Sequence, residues 1–296
     1  MNLTIWFLAT RPWSFTMTAI SVGVGGALAA LDGAFDPGLF LVTLVGAVAV
    51  HAATNLINDY FDYKSGVDRP GAPTTLYRPH PLVQGLISPR GVLSVSLGLY
   101  AIAALVGLYL VSVVGLGLLW FILVGAIASF FYTAGPIKYK YIALGELSVF
   151  LMWGPLMVGG TYFVQRSSLS PEAILISLPF GLLVALVLLA NNLRDIDYDG
   201  SVGIKTLGTL LGQRKTLHLY QGLILLAYGA VIALIALKIL SPWGLVVFFS
   251  APVAFRLIRT MQHQIPNDAD ARTAQLDTLF GIWLILGLVL HKFFPL

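Results

Sequence analysis

The chain has 296 residues, of which 58% are hydrophobic and only 10% charged, and its formal net charge is +4 at pH 7. Soluble domains carry about 25% charged residues, so this composition excludes a water-soluble globule and indicates an integral membrane protein. Cysteine is absent, which excludes disulfides and thiolate chemistry.

The first residues, MNLTIWFLATRPWSF, have no basic region ahead of an apolar stretch and no small-residue cleavage site, so no removable signal peptide is expected. In chain order, hydropathy predicts nine spans, over roughly 14–31, 38–58, 91–111, 114–132, 143–164, 172–193, 216–237, 241–258 and 275–294. The last of these are short enough to leave eight or ten open. With the N-terminus on the cytoplasmic side, the interior segments are the N-terminus and loops 59–90, 133–142, 194–215 and 259–274. Counting helix-end charges with their nearest loop, they hold 14 of the 17 Lys and Arg, and Arg166, Lys238 and Lys292 fall on the opposite side. This asymmetry follows the positive-inside rule. The basic balance therefore records topology, and no nucleic-acid partner is expected.

The second and sixth spans each end in acids. Asp59, Asp62 and Asp68 follow the second, and Asp195, Asp197 and Asp199 follow the sixth, so six of 13 acidic residues lie in two short stretches on one side. NLINDYFD (55–62) aligns with NLRDIDYD (192–199). On a helix continued past the membrane face, Asn58 and Asp62 would share one side, as would Asp195 and Asp199, with Asn55 and Asn192 one turn earlier. Like charges this close repel, and a hard cation bound by oxygen would relieve them. No histidine cluster is expected nearby, which points to Mg2+, and two such helix ends could hold two ions around a diphosphate. Against this, acids also collect at span ends simply because loops there are wet.

The same loops carry cations suited to phosphate: Arg78, Lys138 and Lys140 just after Tyr132, then Arg194 and Lys205. Interior loops are basic in any case. Glu146 lies four residues into the fifth span. The five histidines are scattered without metal-ligand spacing, and the glycines fall largely inside spans, where small residues allow close helix packing.

NDYFDYKSGVD (58–68) resembles the N-D-x-x-D-x-x-x-D motif of the UbiA superfamily of intramembrane prenyltransferases. DIDYD (195–199) is similar to its second acidic motif, and RPHPLVQGLIS (78–88) to its R-P-x-P loop. The stretches 9–30, 132–146 and 191–212 look most like the branch that prenylates 1,4-dihydroxy-2-naphthoate for menaquinone.

The resemblance implies an all-α polytopic bundle, a single domain over 1–296, around a central cavity under a cytoplasmic cap. It implies Asn58, Asp62, Asp195 and Asp199 as Mg2+ ligands, with Asp59 and Asp68 assisting. Lys138 or Lys140, Arg78 and Lys205 would stabilise the leaving diphosphate. Asn55, Tyr132, Asn192 and Arg194 complete the expected substrate-binding set. The implied substrates are a polyprenyl diphosphate, drawn from the lipid bilayer, and an aromatic acceptor. The expected location is the prokaryotic cell membrane, with the site facing the cytoplasm. Two alternatives stand beside this: prenylation of 4-hydroxybenzoate or homogentisate, and a cation-coupled transporter, whose sites lie near the bilayer midplane.

Overall fold

The computed structural model describes residues 3–77 and 80–295. Among them the chain is helical, and its one extended pairing is an isolated parallel bridge between Ile142 and Lys205. Eight helices are long and apolar enough to cross a membrane. They are α1 (Pro12–Leu31), α2 (Pro37–Lys64), α3 (Pro89–Val114), α5 (Gly145–Arg166), α6 (Pro171–Arg194), α7 (Gln213–Ala236), α8 (Pro242–His263) and α9 (Ala269–Phe293). The span expected over 114–132 is a shorter apolar helix, α4 (Leu118–Phe131). At 1.5 Å per residue its 14 residues rise about 21 Å, less than a bilayer core of about 30 Å. The expected nine spans are therefore eight of full length and one shorter helix.

Four of the long helices start on one local signal, an acid or serine followed by proline. The side chains of Asp36, Ser88, Ser170 and Ser241 accept from the backbone N–H of Leu39, Gly91, Ala173 and Trp243, at 2.9, 3.1, 3.2 and 3.3 Å. Pro37, Pro89, Pro171 and Pro242 occupy the first helical positions, where no intrahelical donor is missed. Two spans are irregular. α5 widens to a π-helical stretch over Met152–Leu156 around Pro155, and α8 begins as 3-10 helix over Pro242–Ser250.

The core gathers on α6, which packs against α5, α7 and α9, with α1 closing over α5 and α9. Phe180, Leu183, Leu186, Tyr220, Ile224, Phe280 and Leu284 are fully buried there. Leu105, Leu108, Trp120 and Ile127 of α3 and α4 stay exposed, as lipid-facing residues do. Lipid is as apolar as leucine, so contact between spans rests on close packing of small residues. A Cβ on Gly25 of α1 would stand 2.6 Å from the Val158 carbonyl of α5.

α2 and α6 end on the same face. Between and beyond them, short helices Pro73–Tyr77, Ile196–Ser201 and Leu207–Leu211 and the turn Tyr139–Tyr141 form a polar layer over the bundle. The acidic stretches lie in that layer.

Candidate active site

α2 outruns its expected end by six residues, to Lys64, and so carries Asn55, Asn58, Asp59 and Asp62 on one continuous helix. Asn58 and Asp62, one turn apart, face the same cation. Lys140 Nζ donates to Asn58 Oδ1 at 2.9 Å and to Asp62 Oδ2 at 2.6 Å, and the Tyr141 hydroxyl donates to Asp62 Oδ1. Asn55 Nδ2 donates to the Thr10 carbonyl at 2.8 Å, tying α2 to the start of α1.

The helix then stops on a left-handed residue, Gly66 (φ 76°). The N–H groups of Val67 and Asp68 both turn back to the Asp62 carbonyl, at 3.0 and 3.1 Å, satisfying an orphan helix-end oxygen. That reversal returns the Asp68 carboxylate toward α2. It accepts from Thr74 Oγ1 at 2.7 Å and meets His80 Nε2 at 3.0 Å. Burial alone would raise the Asp68 carboxyl, but the hydrogen bond and charge of His80, with Thr74, prevail and hold it at about 2. Asp59, on another side of α2, pairs with the Arg11 guanidinium and lies 3.9 Å from His80.

No histidine cluster was expected near the acids, and the structure brings one histidine, His80, among them. Donor atoms of Asp59, Asp68 and His80 lie within 4.8 Å of one another, all three residues buried. Sequence reading passed over His80 because its partners are 12 and 21 residues upstream, brought close only by the reversal at Gly66. Arg11 and Tyr141 were missed likewise. The available signal was position: Arg11 opens α1 on the face that carries the acids, and Tyr141 adjoins Lys140.

The second stretch is built differently from the first. A helix continuous through Asp195 and Asp199 was expected, but α6 ends at Arg194 and Asp195 forms the joint to the short helix Ile196–Ser201. The Asp199 N–H still reaches the Asp195 carbonyl at 2.9 Å. Arg194 serves the protein's own acids. Its Nε and Nη2 donate to the two Asp195 oxygens at 2.7 and 2.8 Å, and Nη1 to Asp270 at 2.9 Å. Nη2 also reaches Asn191 at 2.6 Å. Asn192 Nδ2 donates to Glu146 Oε1 at 2.8 Å.

Asp199 is pushed up to about 7, first by burial and then by the negative charge of Asp195, against the favourable pull of Lys140. The Asp62 carboxylate raises it further, so the two stretches feel one another's charge. They are also tied directly, because the Tyr198 hydroxyl donates to the Val67 carbonyl at 2.5 Å.

Of the loop cations, Lys140 lies in the site, 5.8 Å from the Tyr132 ring centroid and 5.2 Å from that of Tyr141. Lys138 is held in a left-handed backbone (φ 45°) and does not line the cavity. Lys205 contributes through its backbone: its carbonyl accepts from Ala143 N–H at 2.8 Å, while the residue itself is exposed. This bridge fixes the loop that delivers Lys140. Arg78 lies outside the described residues.

Below the acids the bundle opens into a cavity of about 1260 Å3. Arg11, Asn58, Asp62 and Lys140 line its polar end, and Leu110, Phe121, Ile122 and Val164 its apolar part. Between them His51 bridges Thr18 Oγ1 at 2.8 Å and Ser14 Oγ at 3.1 Å, with Phe15 and Trp153 edge-on to its ring. A charged mouth over an apolar chamber fits an amphipathic molecule with an anionic head.

Such a bundle is that of a polytopic integral membrane protein. Residues 18–285 match the UbiA prenyltransferase family. The chain is 33% identical to the 1,4-dihydroxy-2-naphthoate octaprenyltransferase of Bacillus subtilis (strain 168), over 99% of this chain and 94% of that protein. It is 34% identical to the UbiA prenyltransferase domain-containing protein 1 of Gallus gallus, over 96% of this chain and 84% of that protein. In fold it resembles a UbiA homologue from Archaeoglobus fulgidus bound to GPP and Mg2+, with a TM-score of 0.64 at 13% identity, over 96% of this chain and 99% of that one. The chain belongs to the UbiA prenyltransferase family and is a membrane-embedded prenyltransferase.

Proposed function

We propose that this enzyme transfers a polyprenyl group from an allylic polyprenyl diphosphate to 1,4-dihydroxy-2-naphthoate, as a single domain, on the cytoplasmic face of a prokaryotic cell membrane. The observation that carries this reading is the Asp62–Lys140 pair at the mouth of an apolar cavity, with Asp199 near enough to feel both charges. The 33% identity to the Bacillus subtilis enzyme over nearly the whole of both chains supports the acceptor.

The donor set fits Mg2+. The acceptors at the polar end are carboxylate and amide oxygens, set beside the cations Arg11 and Lys140, and Asp199 is held at about 7 by burial and by neighbouring carboxylates, a penalty that a divalent cation relieves. Asn58, Asp62, Asp195 and Asp199 would hold two ions, with Asp59 and Asp68 assisting. Bound there, Mg2+ supplies neutralisation of a diphosphate leaving group.

The chain's own residues supply the rest. Lys140, carried on the loop fixed by Lys205, places an ammonium where the departing diphosphate gains charge, and Arg11 stands at the same polar end. Arg194 keeps the Asp195 carboxylate in place. Asn55 and Asn192 hold the chain around the mouth, through Thr10 and Glu146. The apolar chamber excludes water from the allylic carbon, and aromatic rings such as Tyr132 and Trp153 lend it electron density. A ring carbon of the acceptor then forms the new C–C bond as the allylic C–O bond breaks and diphosphate leaves, and that ring carbon gives up a proton or carbon dioxide to restore the aromatic ring.

The test is a product assay in detergent with a polyprenyl diphosphate, Mg2+ and three acceptors: dihydroxynaphthoate, 4-hydroxybenzoate and homogentisate. Prenylated naphthoate is the expected product. Turnover confined to either of the other two acceptors would overturn the assignment while leaving the reaction class intact.

A further inference from the structure

The membrane face opposite the acids carries only three Lys or Arg, namely Arg166, Lys238 and Lys292, from segments far apart in the chain. Positive charge on that side runs against the topological bias, so its placement asks for a reason. The fold brings all three to one place. A second cavity, of about 1070 Å3, opens where α1, α5, α7 and α9 end and α6 begins. Lys238 and Lys292 line it, and Arg166 stands behind its rim, bonded to the Asp32 carbonyl at 3.3 Å.

Not every rim charge is available. Arg166 faces Asp32, whose carboxylate also accepts from the Tyr162 hydroxyl. Glu172 accepts from Ser170 Oγ at 2.5 Å, and Lys292 Nζ spends one of its three N–H donors on the Ala30 carbonyl at 2.8 Å and keeps its charge and the other two. Among the described residues, the Lys238 side chain has no partner, and the buried Nδ1 of His291, also on the rim, has no hydrogen-bond partner. With the Arg166–Asp32 pair cancelled, the rim keeps two lysines against one glutamate. Its floor is apolar, made of Leu28, Ile176, Leu240 and Leu288.

We propose that this cavity is a binding site for an anionic phospholipid of the outer leaflet. The lipid phosphate is held by Lys238, Lys292 and His291, and the acyl chains lie along the apolar floor. Basic pockets between spans hold lipid head groups on the cytoplasmic side, and the same pairing of cations over an apolar floor stands here on the opposite face. The site lies at the far ends of the helices from Asp62 and Lys140, so it does not depend on the acceptor assignment.

The test is thermal unfolding of the full-length protein in neutral detergent, with and without added lipid. Phosphatidylglycerol at a ~100-fold excess over its Kd should raise Tm by about 5 °C, and phosphatidylcholine by less. Lys238→Gln should lose most of that rise while keeping prenyl transfer, because the Lys238 side chain has no hydrogen-bond or ion-pair partner among the described residues and lies far from the acids. Comparing each variant with and without lipid cancels any change in its own stability. Inorganic phosphate is the second arm. An equal phosphate-induced rise that Lys238→Gln abolishes would assign the site to a free anion. A phosphatidylglycerol rise undiminished in Lys238→Gln, or no rise in the wild type, overturns the proposal.

Discussion

The hydroxyl of Tyr198 donates to the carbonyl of Val67 across 131 positions of sequence, at 2.5 Å. One partner sits between two acids of the second stretch and the other adjoins Asp68 in the first. This bond makes the two acidic segments one structure. Tyr198→Phe removes it and keeps the ring. A 1 Å misplacement of catalytic groups costs up to about 100-fold in rate, so kcat should fall by about 10- to 100-fold with helicity unchanged by circular dichroism.

Lys140 holds Asn58 and Asp62 together and faces the mouth of the cavity. Removing one preorganised charge that meets a developing anion costs about 10²–10³ in kcat. Lys140→Ala should show a loss of that size, and Lys138→Ala, altering a residue outside the cavity wall, a much smaller one. Steady-state rates with a saturating donor distinguish the two.

Arg194 and Asp195 are both only 7% exposed and bonded at two points, and the same guanidinium reaches Asp270. Removing one partner of a buried pair strands the other and typically costs about 3–5 kcal/mol. Arg194→Ala should therefore melt at a lower temperature as well as turn over more slowly. Asp62→Ala should leave Tm closer to the wild type while abolishing turnover, because α2 continues past it. Thermal melts read beside activity check this contrast.

Asp199 gives a pH dependence with a defined sign. Its carboxyl is raised from 3.8 to about 7 in the folded chain, so between these values the folded state keeps a proton that the unfolded state releases. Stability then falls as pH rises through that window. Asp199→Asn should match the wild type near pH 4 and gain on it up to about pH 7, with the difference constant above. Melts in EDTA across this range measure it.

Gly25 touches the Val158 carbonyl so closely that a methyl would need 2.6 Å. Overpacking of this kind costs about 1–3 kcal/mol. Gly25→Ala should lower Tm by pushing α1 off α5, with Gly229→Ala, whose Cβ meets nothing within 4 Å, as the neutral control.

Much of this was legible in the sequence. The spans show as apolar runs, and four of the long helices start at an acid or serine followed by proline, a signal that needs no tertiary context. The acids of 58–68 and 195–199 announce themselves because charge is so scarce in this chain. What could not be read is whatever depends on reversal of the chain. His80 joins Asp59 and Asp68 only after Gly66 turns the backbone, and Arg194 meets Asp270 only when α9 comes alongside α6. Arg194 and Lys205 looked alike as phosphate ligands, yet one clamps acids and the other anchors a loop through its backbone. α4 was over-read because hydropathy continues through Gly115–Gly117, where the chain leaves helical geometry.

The pairing of Asp59 with Arg11, Asp62 with Lys140, Asp68 with His80 and Asp195 with Arg194 has a consequence for how the protein enters a bilayer. Asp59 and Asp62 reach the lipid boundary with escorts drawn from distant parts of the chain, Asp68 meets His80 12 residues on, and Asp195 is met by its own neighbour Arg194. The crowded end of the chamber thus approaches electrical balance as the helices assemble, and a variant lacking one escort leaves a naked charge to be accommodated during insertion.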